Sequence, residues 1–156
     1  MCIFDTARQL YAGSIFFFKK LSTMASIFSK IIAGEIPSYK VAEDERFFAF
    51  LDIRPLAKGH TLVVPKKEVD YIFSLDDGLL GDMMIFAKRL GLAIEKVVPC
   101  KRMGLSVLGL EVPHAHIHLV PINSVYDIDF RKPPLEMDEK EFIELAGRIS
   151  AAFNDQ

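Results

Sequence analysis

Three of the chain's four histidines occupy alternate positions in the stretch His114-Ala115-His116-Ile117-His118. Successive side chains of a β-strand point to opposite faces. An extended chain therefore places the three imidazoles in one row, with an apolar row behind them formed by Ala115, Ile117 and Leu119. A helix would scatter the rings around its axis. The spacing predicts a strand that is anchored on a core by one face and offers the other face for chemistry.

The residues alone leave three interpretations of the histidine row open. The row could be a polar strand surface, although histidines in register are an unusual choice for one. It could hold a metal ion, because imidazole is a common zinc ligand and three of them can bind a catalytic zinc. It could serve phosphate chemistry, because imidazole is a nucleophile and, with an unperturbed pKa of about 6.5, exchanges protons near neutral pH.

The wider sequence favours the third interpretation. Residues 113–121 read Pro-His-Ala-His-Ile-His-Leu-Val-Pro, and they are preceded by the blocks Ser26–Ile32, Glu35–Pro37, Phe50–Pro55 and Gly59–Lys66. These blocks resemble, in content and in order, those of the histidine-triad (HIT) nucleotide-binding superfamily. The resemblance covers about residues 25–123. It implies an α+β fold whose five-stranded antiparallel sheet joins that of a second subunit in a homodimer.

The resemblance also implies a role for each histidine. His116 would attack the α-phosphorus to give a nucleotidyl-histidine intermediate, which water then cleaves. His118 would donate hydrogen bonds to the non-bridging oxygens, and His114 would hold the row in place. His60 would support the triad from a neighbouring strand. Considered alone, His60 could equally be a hydrogen-bonded histidine at a strand end.

The implied partners are purine nucleotide substrates. Asp52 would accept hydrogen bonds from both ribose hydroxyls, although an Asp just before Arg54-Pro55 could equally form a turn. The walls around the base would be apolar side chains that, taken singly, could equally belong to the core. These are Phe28, Ile31, Ile36, Phe50, Leu51 and Ile53.

Two parts of the chain depart from the family pattern. Where relatives carry Asn or Gln and then a Gly-Gln-Thr/Ser phosphate loop, this chain has Ser106 and 109–111, Gly-Leu-Glu. Backbone N–H groups, including that of Gly109, would have to replace the lost phosphate donors. Where some bacterial HIT proteins carry Cys-x-x-Cys and a further histidine for structural zinc, this chain has Ser26, Ser29 and Glu68. We therefore expect neither a metal nor another cofactor.

Composition and length bound the remaining possibilities. A chain of 156 residues, 51% of them hydrophobic, suits one domain with a sound core. A net charge of −2 argues against a dedicated nucleic-acid binder. The sequence has no apolar run of membrane-spanning length. Cys2 and Cys100 suggest no disulfide framework, so a cytoplasmic location is expected.

The first 23 residues differ from the rest. An apolar patch, 15–18, precedes Lys19 and Lys20, which is the reverse of the order in a secretory signal. The resemblance begins just after Met24. We expect residues 1–23 to be an extension or a disordered tail, with a short targeting segment as the alternative, and 24–156 to form the HIT domain.

Local patterns predict the elements of an α+β fold. A short helix at 27–33 ends at Gly34, and a hairpin of strands 39–43 and 47–51 turns at 44–46. Strands are also predicted at 60–65 and 103–108, and the histidine strand is the fifth. One long helix, with Ser74 as its N-cap and Asp77 three residues on, ends before Pro99. A C-terminal helix is capped by Asp138 and Glu141.

These features together predict an enzyme that hydrolyses or transfers nucleotidyl groups, with nucleoside phosphoramidates as the leading substrates. A dinucleoside polyphosphate hydrolase would use the same chemistry. A nucleotide-binding or adaptor protein with weak catalysis is a rival, and so is a tri-histidine metalloenzyme.

Overall fold

The structure is a computed structural model that describes residues 25–156. The expectation for residues 1–23 lies outside this range. The described part forms one antiparallel sheet from strands Lys40–Glu43 (β1), Phe47–Leu51 (β2), Thr61–Pro65 (β3), Arg102–Ser106 (β4) and Ile117–Ile122 (β5). Their order across the sheet is β1-β2-β3-β5-β4. The hairpin of β1 and β2 turns as predicted, because the Asp44 carboxylate accepts the N–H groups of Arg46 and Phe47.

Three α-helices accompany the sheet: Ile27–Ile32 (α1), Asp77–Val97 (α2) and Glu139–Asn154 (α3). Short 3-10 turns occupy Ile72–Ser74 and Val125–Ile128. The predicted α+β class, with a short first helix, one long helix and a C-terminal helix, is confirmed. Within residues 25–156, no helix combines the length and apolar character needed to cross a membrane.

The two faces of the sheet are covered by different helices. The main core lies between α2, α3 and one face of the sheet, and it contains Ile117 and Leu119. On the opposite face, Phe28 of α1 packs against Phe50, Leu62 and Val64 in a smaller apolar cluster. His118 is paired with Leu62, so its side chain lies on the α1 side. The apolar row thus anchors β5 while the imidazoles face α1.

The caps of the later helices agree only in part with the sequence pattern. The predicted start of α2 at Ser74 is wrong, because Ser74 ends a 3-10 turn. The N-cap is Asp76, whose side chain accepts the N–H of Leu79. α3 begins as predicted with a reciprocal capping box between Asp138 and Glu141.

The histidine strand begins later than its alternation predicts. The ladder between β3 and β5 extends only to the pair Val63 and Ile117. Further along β3, Pro65 has no N–H to donate, and the Ala115 N–H instead donates to the Val69 carbonyl at 2.7 Å. His114 and His116 therefore precede β5, and of the row only His118 lies within it.

Candidate active site

A cleft of about 480 Å³ lies on the α1 side of the sheet. Most of the residues singled out in the sequence line it: Phe28, Ile31, Ile36, Phe50, Leu51, Asp52, Ile53, His60, Gly109, His116 and His118. Two do not. Ser106 pairs with His118 across β4 and β5, and His114 is fully buried behind the cleft. The structure therefore brings together, around one cavity, the candidate nucleophile His116, the candidate ribose-binding carboxylate of Asp52 and the apolar side chains expected around the base.

The backbone fixes the ring of His116. Its Nδ1 lies 2.7 Å from the carbonyl oxygen of His114. A carbonyl only accepts, so Nδ1 carries the ring proton and Nε2 keeps its lone pair. Phe28 packs edge-on against the ring, with centroids 5.1 Å apart. Within residues 25–156 no group is hydrogen-bonded to Nε2 of His116, so the neutral ring, with its proton on Nδ1, offers the Nε2 lone pair to the cleft.

A second hydrogen-bond chain sets the proton on His118. The Leu56 N–H donates to Nδ1 of His60 at 3.1 Å, so the proton of His60 is on Nε2. That N–H donates to Nδ1 of His118 at 3.0 Å. His118 therefore carries its own proton on Nε2, as a donor. Burial lowers the pKa of His60 to about 4 and that of His118 to about 3, so both rings are neutral at physiological pH.

His114 is held at both ring nitrogens. Nε2 donates to the Pro65 carbonyl at 2.8 Å, and Nδ1 accepts from the Ser26 hydroxyl, also at 2.8 Å. Burial lowers the pKa of His114, which keeps the ring neutral. The ring does not line the cleft, so His114 reaches His116 through its main-chain carbonyl.

The position of Asp52 is compatible with both interpretations of its sequence, a turn before Arg54 and an acceptor for ribose hydroxyls. One carboxylate oxygen accepts the Arg54 N–H at 2.8 Å, which forms the turn. The other lies 3.7 Å from Nε2 of His60, and the side chain also lines the cleft. A single carboxylate can therefore shape the loop and still accept hydrogen bonds from a diol.

Comparison with known proteins identifies this arrangement. The HIT domain model matches residues 33–125, more than half of the chain. The chain belongs to the HIT family.

Relatives of this HIT protein match most of its length. It is 35% identical over 132 residues to an uncharacterized HIT-like protein of Borreliella burgdorferi, covering 80% of this chain and 95% of the relative. It is 34% identical over 131 residues to the adenosine 5′-monophosphoramidase of Schizosaccharomyces pombe, covering 82% and 98%. A zinc-bound HIT family protein of Mycobacterium smegmatis superposes with a TM-score of 0.73 at 25% identity, covering 85% and 95%.

Two clusters of this HIT protein bear on metal binding, and among residues 25–156 one of them contains a group of potential metal ligands. Ligand atoms of Asp52, His60 and His118 lie within 4.8 Å of one another. The facing nitrogens of the two histidines already bond each other, so a metal would have to displace that proton. At the other cluster, Ser26 and Glu68 contact each other beside His114, as hydrogen-bonding groups rather than thiolates.

The loop at 108–112, which occupies the position of the family's phosphate loop, has few side-chain donors. Leu108, Gly109, Leu110, Glu111 and Val112 all line the cleft. Leu110 is 91% exposed, and Gly109 adopts a left-handed φ of +68° that favours glycine. Donors from this loop are therefore main-chain N–H groups.

One wall of the cleft, which follows the 3-10 turn at Val125–Ile128, was not predicted from the sequence. Phe130 packs edge-on against His118, with centroids 4.8 Å apart, and Lys132 and Pro134 also line the cleft. The Leu135 N–H donates to the Pro55 carbonyl at 2.7 Å and ties this segment to the loop after β2. Nothing in the sequence pattern of this segment related it to the histidines.

Proposed function

We propose that this HIT protein is a nucleoside phosphoramidase, which hydrolyses the P–N bond of purine nucleoside 5′-phosphoramidates through a nucleotidyl-His116 intermediate. The observation that carries the proposal is that the neutral rings of His116 and His118 carry their protons on different nitrogens, Nδ1 in His116 and Nε2 in His118. His116 offers a bare Nε2 to the cleft while His118 offers an N–H. A phosphorus centre needs a nucleophile and a donor to its oxygens side by side, and the two ring centroids are 4.8 Å apart.

In the first step Nε2 of His116 attacks the α-phosphorus. The Nε2–P bond forms, the P–N bond of the substrate breaks, and the departing amine takes a proton from water in the open cleft. The imidazole becomes cationic, and its Nδ1–H stays bonded to the His114 carbonyl, which stabilises the positive charge. His118 is neutral and holds its Nε2–H toward the cleft, so it acts as a hydrogen-bond donor rather than as an acid.

In the second step water attacks the same phosphorus. The Nε2–P bond breaks, the electron pair returns to His116, and the water releases one proton to solvent. The products are the nucleoside monophosphate and the regenerated enzyme. Asp52 lies where it can hold the ribose diol through both steps, which keeps the phosphorus within reach of the nucleophile.

Turnover of adenosine 5′-phosphoramidate tests the proposal. Wild type should release AMP and ammonia in equal amounts, and His116→Ala should release neither. A dinucleoside tetraphosphate offered at the same concentration tests the related phosphoanhydride activity. Preferential cleavage of that compound would replace the phosphoramidase with the hydrolase that uses the same nucleophile.

A second candidate is a nucleotide-binding protein with weak catalysis. The exposed Leu110 and the acidic Glu111 in the phosphate loop favour it, because neither stabilises a phosphoryl oxygen. Binding of AMP in calorimetry without turnover of the phosphoramidate would support this candidate over the enzyme.

We also propose that the protein is a cytoplasmic homodimer. β4 is one of the two outer strands of the sheet, so its backbone can pair with a second copy and extend the sheet. Two leucines near this edge are exposed: Leu105 of β4 is 45% exposed and Leu92 of α2 is 49% exposed. They lie near each other, because Gly91, next to Leu92, faces Met103 of β4. Light scattering should give twice the monomer mass for wild type. Leu105→Lys should reduce the measured mass to that of one monomer. A monomeric wild type would overturn the assignment.

A further inference from the structure

Four polar side chains meet behind the nucleophile, outside the cleft. Ser26 and Ser29 come from the start of α1, Glu68 from the loop after β3, and His114 from the segment before β5. Ser26 is 6% exposed and His114 is fully buried. None of the four lines the cleft or takes part in the reaction described above.

The donor and the acceptor of each hydrogen bond in the cluster can be assigned, because the groups at the two ends of the cluster can only accept. The Pro65 carbonyl can only accept, so His114 carries its proton on Nε2 and its Nδ1 must accept from the Ser26 hydroxyl. The Ser26 oxygen accepts in turn from the Ser29 N–H at 3.0 Å. The Ser29 hydroxyl donates to the Glu68 carboxylate.

Glu68 fixes the serine itself. Its carboxylate also accepts the Ser26 N–H at 3.1 Å. These donors hold the pKa of Glu68 below its usual value, with the Ser29 hydroxyl contributing most, so the acid is ionised throughout the physiological range. A charged acceptor therefore orients both serines, and Ser26 points its hydroxyl at His114.

The cluster reaches the reaction through one bond. The ring of His114 is clamped between Ser26 and Pro65, and the carbonyl of the same residue accepts the His116 Nδ1–H at 2.7 Å. Because the two bonds on its ring tether His114, losing one of them lets the residue and its carbonyl shift together, and the nucleophilic nitrogen then turns away from the phosphorus.

We infer that Ser26 and Glu68 are positioning residues, which clamp His114 so that its carbonyl aims the nucleophilic Nε2 of His116. The inference rests on the proposed nucleotidyl-His116 chemistry. The cluster of Glu68, the two serines and His114 then affects the rate of the chemical step rather than nucleotide binding. Displacements of about 1 Å at a reacting atom can cost on the order of 100-fold in rate.

Kinetics of three variants on adenosine 5′-phosphoramidate test this role. Ser26→Ala should lower kcat by roughly 10-fold to 100-fold with KM nearly unchanged, because the lost alignment matters only in the transition state. Ser26→Thr, which keeps a hydroxyl, should restore kcat. Glu68→Ala should lower kcat by a smaller factor, and Glu68→Gln, which keeps an acceptor oxygen, should stay close to wild type.

The matched control is Asp76→Ala. It removes the N-cap of α2 as Ser26→Ala removes that of α1, but Asp76 contacts nothing near the histidines. Ser26→Ala also costs helix stability, so Glu68→Ala, at an exposed position, keeps the inference testable if Ser26→Ala folds poorly. Loss of kcat in the cluster variants but not in Asp76→Ala is the expected pattern.

A second readout does not depend on turnover. Ring nitrogen shifts of ¹⁵N-histidine should show His116 protonated on Nδ1 in wild type, and in Ser26→Ala they should shift toward a mixture of tautomers. If wild type hydrolyses no phosphoramidate, the proposed function fails while this spectrum still tests the clamp. Unchanged His116 shifts and unchanged kcat in both Ser26→Ala and Glu68→Ala would overturn the inference.

Discussion

Nε2 of His60 lies 3.0 Å from Nδ1 of His118, and this contact determines where both rings carry their protons. Because the Leu56 N–H occupies Nδ1 of His60, His60 must donate and His118 must accept. His118 is thereby left with an N–H for the cleft, whereas His116 is left with a lone pair. Neighbouring imidazoles thus differ in function because their hydrogen-bond partners differ.

Removing the donor at position 60 should disable His118. His60→Leu lets the His118 ring choose either tautomer, so a part of the molecules turns a lone pair toward the phosphate oxygens. We expect kcat to fall by roughly 10-fold to 1,000-fold, because the complete loss of one oxyanion donor costs about 100-fold to 1,000-fold and only a part of the molecules lose it here. His60→Gln, whose amide can still donate, should recover part of the rate. Equal kcat in His60→Leu and wild type would show that His60 has no such role.

Stability should decline between pH 7 and pH 5. Burial lowers the pKa values of His60 and His118 to about 4 and about 3, while the unfolded chain titrates near 6.5. Below pH 6.5 the unfolded state binds protons that the folded state does not, so the free energy of unfolding falls with pH. The contribution of each ring to this slope grows as the pH falls through 6.5 and approaches about 1.4 kcal/mol per pH unit below it.

Urea unfolding at fixed ionic strength measures this slope. His60→Gln removes one of the three rings whose pKa burial lowers (His60, His114 and His118) and should make the slope shallower by about one proton. The carboxylates with lowered pKa, including Glu43 and Glu68, titrate at lower pH and leave this window to the histidines. A flat profile between pH 7 and pH 5 would contradict the neutral, buried state of the rings.

The contribution of Asp52 should depend on the sugar. Asp52→Ala should raise KM for adenosine 5′-phosphoramidate by about 10-fold, since hydrogen bonds to a charged acceptor contribute about 1.5–3 kcal/mol. The 2′,3′-dideoxy analogue has no hydroxyls to lose and should bind both proteins alike. If the variant raises KM equally for the two substrates, Asp52 serves the turn before Arg54 rather than the ribose.

Metal removal should leave activity intact. Ser26, Ser29 and Glu68 already satisfy one another and His114 by hydrogen bonds, and the proposed chemistry needs no Lewis acid. Elemental analysis of the purified protein should find no stoichiometric zinc, and EDTA should not change turnover. Stoichiometric zinc that is lost together with activity would restore the metalloenzyme interpretation.

Much of the fold could be read from the sequence because local chemistry dictates it. Asp44 forms the hairpin turn, Asp138 and Glu141 cap the last helix, and Gly34 follows the first helix with a left-handed φ of +77°. The residue at which β5 begins could not be predicted from its local sequence. It depends on Pro65 in another strand, which lacks the N–H that would have continued the ladder.

The site was predictable in its membership and less so in its roles. Alternation grouped the three histidines correctly, but it gave no means of knowing that His114 would be buried and act through its carbonyl. Phe130 and Lys132 were missed because their approach to His118 depends on a loop tied down by a tertiary contact, the bond from Leu135 to Pro55.

The most direct test of the account is to locate the covalent intermediate. Wild type mixed with adenosine 5′-phosphoramidate and quenched in alkali, where a P–N adduct survives, should carry one adenylyl group. Peptide mapping by mass spectrometry should place it on His116. His116→Gly should show no adduct, and His118→Ala should form the same adduct more slowly. An adduct on His118 or His114, or near-normal turnover by His116→Ala, would contradict the central claim.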